Sequence, residues 1–245
     1  MQHCAQDAAT DPCVLDGIRP FLTELQVPVS LSTVPPAHPL RPALEGFIHD
    51  VFAHAYGADV QTFYPTLLGF RSDQQLRAAV GYRDGSERPL FSEQYLPRAA
   101  RHMIATKIGT PVADTELVEV GNLALAGMGD ARWVIAAVTV FLYQLGYRWV
   151  LFTAVKSLFN AFQRLGLNPI QLAAADPGRL PDGGECWGRY YDARPVVCAG
   201  NIAAGYRKLR DHVSIQQPAL HTLLNDAACQ ALLLRDTMQS RFGGV

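Results

Sequence analysis

The stretch VEVGNLALAGMGDARWVIAAVTVFLYQLGYRWVLFTAV, Val118 to Val155, decides how this chain is read. Its opening carries strand formers, and the glycine-bearing AGMGDAR follows. Trp133 to Tyr143 is an apolar run too short to span a bilayer, and Arg132, Gln144 and Arg148 interrupt its surroundings. The reading is a buried helix over 131–145. YRWVLFTAV then returns as a strand. Strand, loop, helix, strand is a βαβ unit, and it implies a parallel pair inside a larger sheet.

Upstream, FLTELQVPVSLSTV (Phe21 to Val34) reads as a strand and PPAHPL breaks it. RPALEGFIHDVFAHAYGA has apolar residues at helical spacing, with Pro42 suited to a first turn and Gly57 to a stop. TFYPTLLGF reads as a strand. QLRAAVGYRDGSERPLF reads as a strand, a turn at Asp84–Gly85, and a second strand. LPRAARHMIATKIG reads as a short helix. Downstream, KSLFNAFQRLGL is an amphipathic helix with Leu158, Phe159, Phe162 and Leu165 on one face. PIQLAAA and PVVCAG read as strands, separated by a glycine- and proline-rich loop over 176–195. From Asn201 to Arg241 the pattern is helical, divided at Pro218. Residues 1–19 read as a loose start, 1–200 as one domain and 201–245 as a helical extension.

The totals agree with one domain of mixed class. The chain has 245 residues, 49% of them hydrophobic, which is enough for a sizeable core. A formal charge of −1 with both signs scattered leaves no basic footprint, so no nucleic-acid partner is expected. Cys4, Cys13, Cys186, Cys198 and Cys229 are odd in number and widely spaced, which argues against a disulfide framework. No C-x-x-C points to zinc, and no metal site is expected. The start carries no basic segment followed by an apolar run, so a cytoplasmic protein in a reducing compartment is expected.

The parts VEVGNLAL, AGMGDAR, WVIAAVTVFLYQLG, YRWVLFTAV and NAFQRLGL together resemble the core of the GNAT acyltransferase superfamily. A closer likeness is to the thermostable haemolysins, carried by FIHDVFAHAYGAD, FYPTLLGF, GYRDG, PLFSEQYL, VEVGNLA, LPDGGECWGRYY and PVVCAG. The pattern is also similar to the GNAT-like acyl-homoserine-lactone synthases. Their strand motif has a Glu and then Ser-Arg-Phe, whereas here Glu119 is followed by Val120, Gly121, Asn122 and Leu123, without the Ser and Arg. The resemblance implies an α/β (α+β) fold: a mixed, mostly antiparallel sheet with a splayed parallel strand pair, flanked by helices. It implies an N-acyltransferase that moves a fatty acyl group from a phosphopantetheine thioester to a small-molecule amine. Acyl-CoA or acyl carrier protein would be a co-substrate, with no tightly bound cofactor. The family name records red-cell lysis, so a membrane-active protein is the alternative, with Ala219 to Met238 as its amphipathic candidate. Membrane contact without spanning and a homodimer are compatible with that stripe. A GNAT-shaped module that binds a carrier protein without catalysis is a third reading.

Individual residues carry these expectations. Strand alternation puts Glu119, Gly121 and Leu123 on one face and Val118, Val120 and Asn122 on the other. Gly121 suits a bulge, a close ligand approach, or room for a large side chain. In the resembled families the splayed strand lends backbone amides to the pantetheine arm, which assigns Val120, Gly121 and Leu123 to that role. Gly127 and Gly129 can curl around phosphate at a helix start, with Arg132 just after them; the same loop reads as an ordinary turn with Asp130 as a cap. Asn160 stands where the family's closing helix carries its Asn. Glu119 reads as a general base with a pKa raised by burial, or as a carboxylate in a salt bridge or hydrogen-bonded to a loop. Asn122 reads as an amine ligand or as a tie between loops. Glu93 and Arg83 read as ligands for substrate ammonium and carboxylate, or as surface charges. Trp187, Tyr190 and Tyr191 read as pocket lining, with Tyr190 a proton donor to the leaving thiolate, or as loop packing. Thr153 belongs to the substrate side of the returning strand.

Overall fold

The computed structural model describes residues 25, 27–212 and 217–242. Cys4, Cys13, the loose start over 1–19 and the first part of the Phe21–Val34 strand lie outside them. Seven strands form one sheet: β1 (Ser30–Val34), β2 (Thr66–Ser72), β3 (Gln75–Asp84), β4 (Leu117–Leu125), β5 (Trp149–Ala154), β6 (Ile170–Ala174) and β7 (Val196–Asn201). Their spatial order is β1-β2-β3-β4-β5-β7-β6. Every neighbouring pair is antiparallel except β4 and β5. The helices are α1 (Arg41–Tyr56), α2 (Ala100–Ile108), α3 (Ala131–Leu145), α4 (Lys156–Arg164), α5 (Ile202–His212) and α6 (Pro218–Phe242).

Helix α3 is apolar nearly all round because it is buried on more than one side. Its Val134, Ala137, Val138 and Phe141 belong to a core shared with Val118 of β4, Tyr82 of β3 and Leu220, Leu223, Ala227 and Ala231 of α6. Burying a side chain of this size contributes about 1.5–3 kcal/mol. Helix α6 therefore spends its apolar stripe on α3, and the Asp226 carboxylate accepts a hydrogen bond from the Leu31 amide of β1 at 2.8 Å. No helix among the described residues is long and apolar enough to cross a membrane. On the opposite face of the sheet, α1 packs Leu44, Ile48 and Phe52 against Leu67, Ala79 and Ala124. Gly57 ends α1 in the left-handed conformation, φ 67°, where glycine avoids a steric cost.

Two readings of the strands are corrected. The hairpin is β2–β3, turning at Asp73–Gln74, and no second strand follows Asp84. After Asp84 the Gly85 amide donates to the Leu117 carbonyl at 2.8 Å, and the Ser86 amide donates to the Asp84 carboxylate. These bonds turn the chain away, and it forms a short 3-10 turn, Phe91–Tyr95, instead. Residues 62–65, read as strand, are a loop. The Arg41 guanidinium at the start of α1 donates to the Tyr64 and Pro65 carbonyls at 2.8 Å each, and Pro65 has no amide to offer a ladder.

Candidate active site

The site begins with the pairing of β4. Only Leu117–Val120 pairs with Trp149–Phe152 of β5. Beyond that point β5 continues against β7, whereas β4 runs on to Leu125 beside β3 alone. The parallel pair is splayed. The β3–β4 register slips between the Gly81↔Gly121 and Ala79↔Ala124 pairs, which leaves a bulge on β4 at Asn122 and Leu123. Asn122 takes the left-handed conformation, φ 49°, which Asn tolerates better than most side chains.

The bulge overturns strict alternation along β4. Leu123 packs with Val120 toward α3, and Asn122 joins Glu119 and Gly121 on the α1 face. The Asn122 amide is engaged by backbone there: Oδ1 accepts from the Tyr64 amide at 2.9 Å and Nδ2 donates to the Thr62 carbonyl at 3.3 Å. Asn122 thus ties the 62–65 loop to the sheet, while Arg41 holds the same loop from α1. Between these clamps the Tyr64 ring lies on the Gly81–Gly121 pair. A Cβ on Gly121 would sit 2.4 Å from the ring, and one on Gly81 2.7 Å from the Tyr64 Cβ. Gly121 makes room for a tyrosine, and the bulge itself sits one residue later.

Glu119 is fully buried, at 0% exposure. Its Oε2 accepts from the Phe91 amide at 2.9 Å and its Oε1 from the Ser92 amide at 2.6 Å. Burial raises its pKa, and the Ser92 hydroxyl and these two amides pull it back down. Burial and the neighbouring Glu119 carboxylate hold the Tyr64 phenol well above the ordinary tyrosine range. Ser92 Oγ lies 3.3 Å from Thr153 Oγ1 on β5, so a hydroxyl pair bridges the mouth of the splay. Arg83, the register partner of Glu119 on β3, donates to the Pro89 carbonyl at 3.0 Å and stacks its guanidinium over Tyr64, 5.4 Å from the ring centre.

A cavity of about 900 Å³ occupies the splay and reaches both faces of the sheet. That is large enough for a substrate of drug size or more. Val120, Gly121, Asn122 and Leu123 line its waist with Ser92 and Thr153. Toward α3 and α4 it is lined by Ile135, Val138, Phe152, Leu158 and Phe162, with Gly129, Arg132 and Asn160. Toward α1 it is lined by Tyr64, Arg83, Phe91, Trp187, Tyr190 and Tyr191. The long loop is closed over this side by backbone bonds: the Arg189 amide donates to the Tyr56 carbonyl at 2.8 Å and the Asp59 amide to the Cys186 carbonyl at 2.7 Å. Gly188 permits that approach, since a Cβ there would lie 2.4 Å from the Tyr56 carbonyl oxygen. The Tyr95 and Tyr191 hydroxyls are 2.6 Å apart, and Tyr190 meets Tyr56 edge to face at 5.2 Å. Burial raises the pKa of Tyr190, so its phenol keeps its proton.

The structure brings most of the expected residues to this cavity and leaves three off its wall: Glu119, buried behind it, Glu93 and Gly127. Glu93 is outside it: its carboxylate pairs with Arg88 and accepts from the Ala100 amide at 2.7 Å, capping the start of α2. Gly127 is not at the cavity wall, and neither Gly127 nor Gly129 has a positive φ, so the loop before α3 is a 3-10 turn. Asp130 makes no side-chain cap. It accepts from Arg77 at 3.0 Å and from the Trp133 indole at 3.1 Å, fixing the start of α3 to β3. Among the described residues no three His, Cys, Asp or Glu side chains converge as a metal site. Sequence reasoning missed Tyr64, Ser92 and Arg41. The paired strand glycines Gly81 and Gly121 were the available signal that an aromatic ring lies across two strands.

Residues 34–206 match the profile of the thermostable hemolysin family. The chain belongs to that family. No curated protein sequence matches it. Solved structures with the same fold include TofI in a ternary complex with an inhibitor and MTA, at 14% identity and a TM-score of 0.51 over 74% of this chain and 96% of that one. BjaI, a CoA-dependent acyl-homoserine lactone synthase solved with SAM and isopentyl-CoA, gives 14% identity and a TM-score of 0.51 over 80% of this chain and 98% of that one. FeeM, an N-acyl amino acid synthase from uncultured soil microbes, gives 13% identity and a TM-score of 0.50 over 74% and 95%. The family member described here therefore has a GNAT-like fold: a mixed, mostly antiparallel sheet with one parallel pair, flanked by helices.

Proposed function

We propose that this protein is an N-acyltransferase, moving a fatty acyl group from a phosphopantetheine thioester to a small-molecule amine. The observation that carries the reading is the splay between β4 and β5, opening into a large cavity beside a buried carboxylate. On its β5 side the backbone of β4 from Gly121 onward has no strand partner, which suits the amide groups of a pantetheine arm, shared by coenzyme A and acyl carrier protein. The α3 side, lined by Val138, Leu158 and Phe162, suits an acyl tail, and Gly129, Arg132 and Asn160, which line the cavity there, suit the donor's phosphate end. The likeness to BjaI, solved with isopentyl-CoA, supports a donor of this class, and the likeness to FeeM supports N-acyl transfer.

In this reading the amine nitrogen attacks the thioester carbonyl. A C–N bond forms, the C–S bond breaks, and the thiolate leaves and takes up a proton. The amine must lose a proton to become a nucleophile. Glu119 does not reach the cavity wall, so the proton passes through the Tyr64 or Ser92 hydroxyl to the Glu119 carboxylate. Asn122 positions Tyr64 and does not itself meet substrate chemistry. Tyr190 lines the cavity and is the candidate donor to the thiolate. The membrane-active reading loses its main segment, because the stripe of α6 is packed on α3.

The test is acceptor-dependent thiol release from long-chain acyl-CoA and from acyl carrier protein, with the product identified by mass spectrometry. The reading requires an acylated amine. Liposome leakage by pure protein without any thioester, together with no acylated product, would replace it.

A further inference from the structure

The acceptor side of the cavity has a chemical bias that narrows the amine. Three charged side chains line the whole cavity, Arg83, Arg132 and Arg164, and no Asp or Glu does so among the described residues. Arg132 opens α3 and Arg164 closes α4, so both stand on the α3 and α4 side. On the α1 side, Arg83 is the charged lining residue, set among Tyr56, Tyr64, Phe91, Trp187, Tyr190 and Tyr191. A polyamine or another polycation would meet a guanidinium there and no lining carboxylate.

Arg83 is held in place. One of its nitrogens donates to the Pro89 carbonyl at 3.0 Å, and the plane of the group lies over the Tyr64 ring. A planar guanidinium anchored at one nitrogen presents its remaining donors as a fork that matches a carboxylate. Its register partner is Glu119, so the cation and the proton acceptor project from adjacent strands, with Cβ atoms about 4.5–5.5 Å apart. The Arg83 guanidinium carbon is 5.4 Å from the centre of the Tyr64 ring, so a carboxylate on Arg83 and an amine beside the Tyr64 hydroxyl call for a short link. One carbon supplies it. The substituent on that carbon would face the aromatic walls, which favour an apolar or aromatic group.

We propose that the acceptor is an α-amino acid with an apolar or aromatic side chain, its carboxylate bound by Arg83 and its α-amine at Tyr64. This rests on the acyltransferase reading above. The α-ammonium gives its proton through Tyr64 to Glu119, the nitrogen forms the amide bond, and the thiolate leaves with a proton as the free thiol. The product is an N-acyl amino acid, an anionic amphiphile.

The experiment compares phenylalanine with phenethylamine, and leucine with isoamylamine. Each pair shares a side chain and differs in the carboxylate. Palmitoyl-CoA and a palmitoyl carrier protein are both offered as donor. The full chain should favour the amino acid by about 10- to 100-fold in kcat/KM, the loss expected when a charge-assisted pair is removed. Arg83→Gln should bring that ratio close to one, mainly through KM for the amino acid, and Arg83→Lys should restore part of it. Equal acylation of both members of a pair by the native protein would overturn the inference and leave acyl transfer standing. So would a drop of equal size for both acceptors in Arg83→Gln, because Arg83 would then serve only as counter-charge to Glu119. Absence of product from every acceptor and donor would overturn both readings together.

Discussion

Gly121→Ala separates two explanations of the glycine in β4. If Gly121 exists to let a ligand approach, an added methyl affects activity and leaves folding alone. The structure argues otherwise, because the Cβ would stand 2.4 Å from Tyr64 Cε2 and 2.8 Å from both Cζ and the hydroxyl oxygen. Relief requires the ring to move outward by about 1 Å to reach ordinary contact near 3.5–4.0 Å. Tyr64 resists this, since Asn122 holds its amide and Arg41 its carbonyl. Overpacking at such a site costs about 1–3 kcal/mol, while replacing a strand glycine by alanine returns about 0.5–1 kcal/mol of backbone entropy. We expect a net loss of about 1–2 kcal/mol. A misplacement of that order also lowers turnover about 100-fold in the acyl-transfer assay. The assay is urea denaturation with the double-mutant cycle Gly121→Ala and Tyr64→Leu. In the leucine background the alanine should cost almost nothing, leaving a coupling energy of about 1–2 kcal/mol. Gly129→Ala is the control, because no heavy atom lies within 4 Å of its Cβ. If Gly121→Ala and Gly129→Ala behave alike, or the coupling vanishes, Tyr64 is not what Gly121 accommodates.

Three further outcomes follow from the same geometry. Glu119→Gln should retain the fold and lower kcat/KM by about 10²- to 10⁴-fold. In the native protein the acid limb of the pH–rate profile should lie above the ordinary Glu range, since burial raises this pKa, with activity lost as pH falls through it; the variant's profile should lack that limb. Asp130→Ala should destabilise by about 1–3 kcal/mol by stranding the Trp133 indole and Arg77, whereas Asp130→Asn keeps an acceptor and costs less; thermal and urea unfolding read both. Leu223→Ala in α6 should cost about 2–5 kcal/mol, because the side chain is fully buried on α3, while Leu233→Ala, 65% exposed, should stay within about 0.5 kcal/mol; equal effects would mean that α6 does not serve the core.

The parts legible in the sequence were those with a strong period or a strong stop. The apolar run of α3 was long enough to be a helix and too apolar to be a surface one, and its burial between sheet and α6 explains that composition. The α1 boundaries followed from Pro42 and Gly57. Where the reading failed, non-local bonds decided the structure. Nothing in GYRDGSERPLF announces that the Gly85 amide finds the Leu117 carbonyl, so a familiar turn dipeptide was read as a hairpin. Glu93 was drawn off to Arg88 and to the start of α2, partners that the local sequence does not reveal.

The deepest miss is also the most instructive for the site. Alternation along VEVGNLAL assumes one residue per pleat, and a single left-handed residue cancels it. At Asn122 the backbone turns to φ 49°, two residues of β4 then oppose Val80 of β3, and every side chain after the bulge changes face. Leu123 moves to the α3 side, and Asn122 lands beside Gly121, where its amide fixes Tyr64. The same slip coincides with the point where β4 parts from β5. One irregular residue therefore positions Tyr64 on the Gly81–Gly121 pair, on the strand that carries the buried Glu119, and sits at the gap through which the cavity joins the two faces of the sheet. Replacing Asn122 by a β-branched residue, which resists a positive φ, should disturb both at once; Asn122→Gly should keep the bulge and lose only the hold on Tyr64.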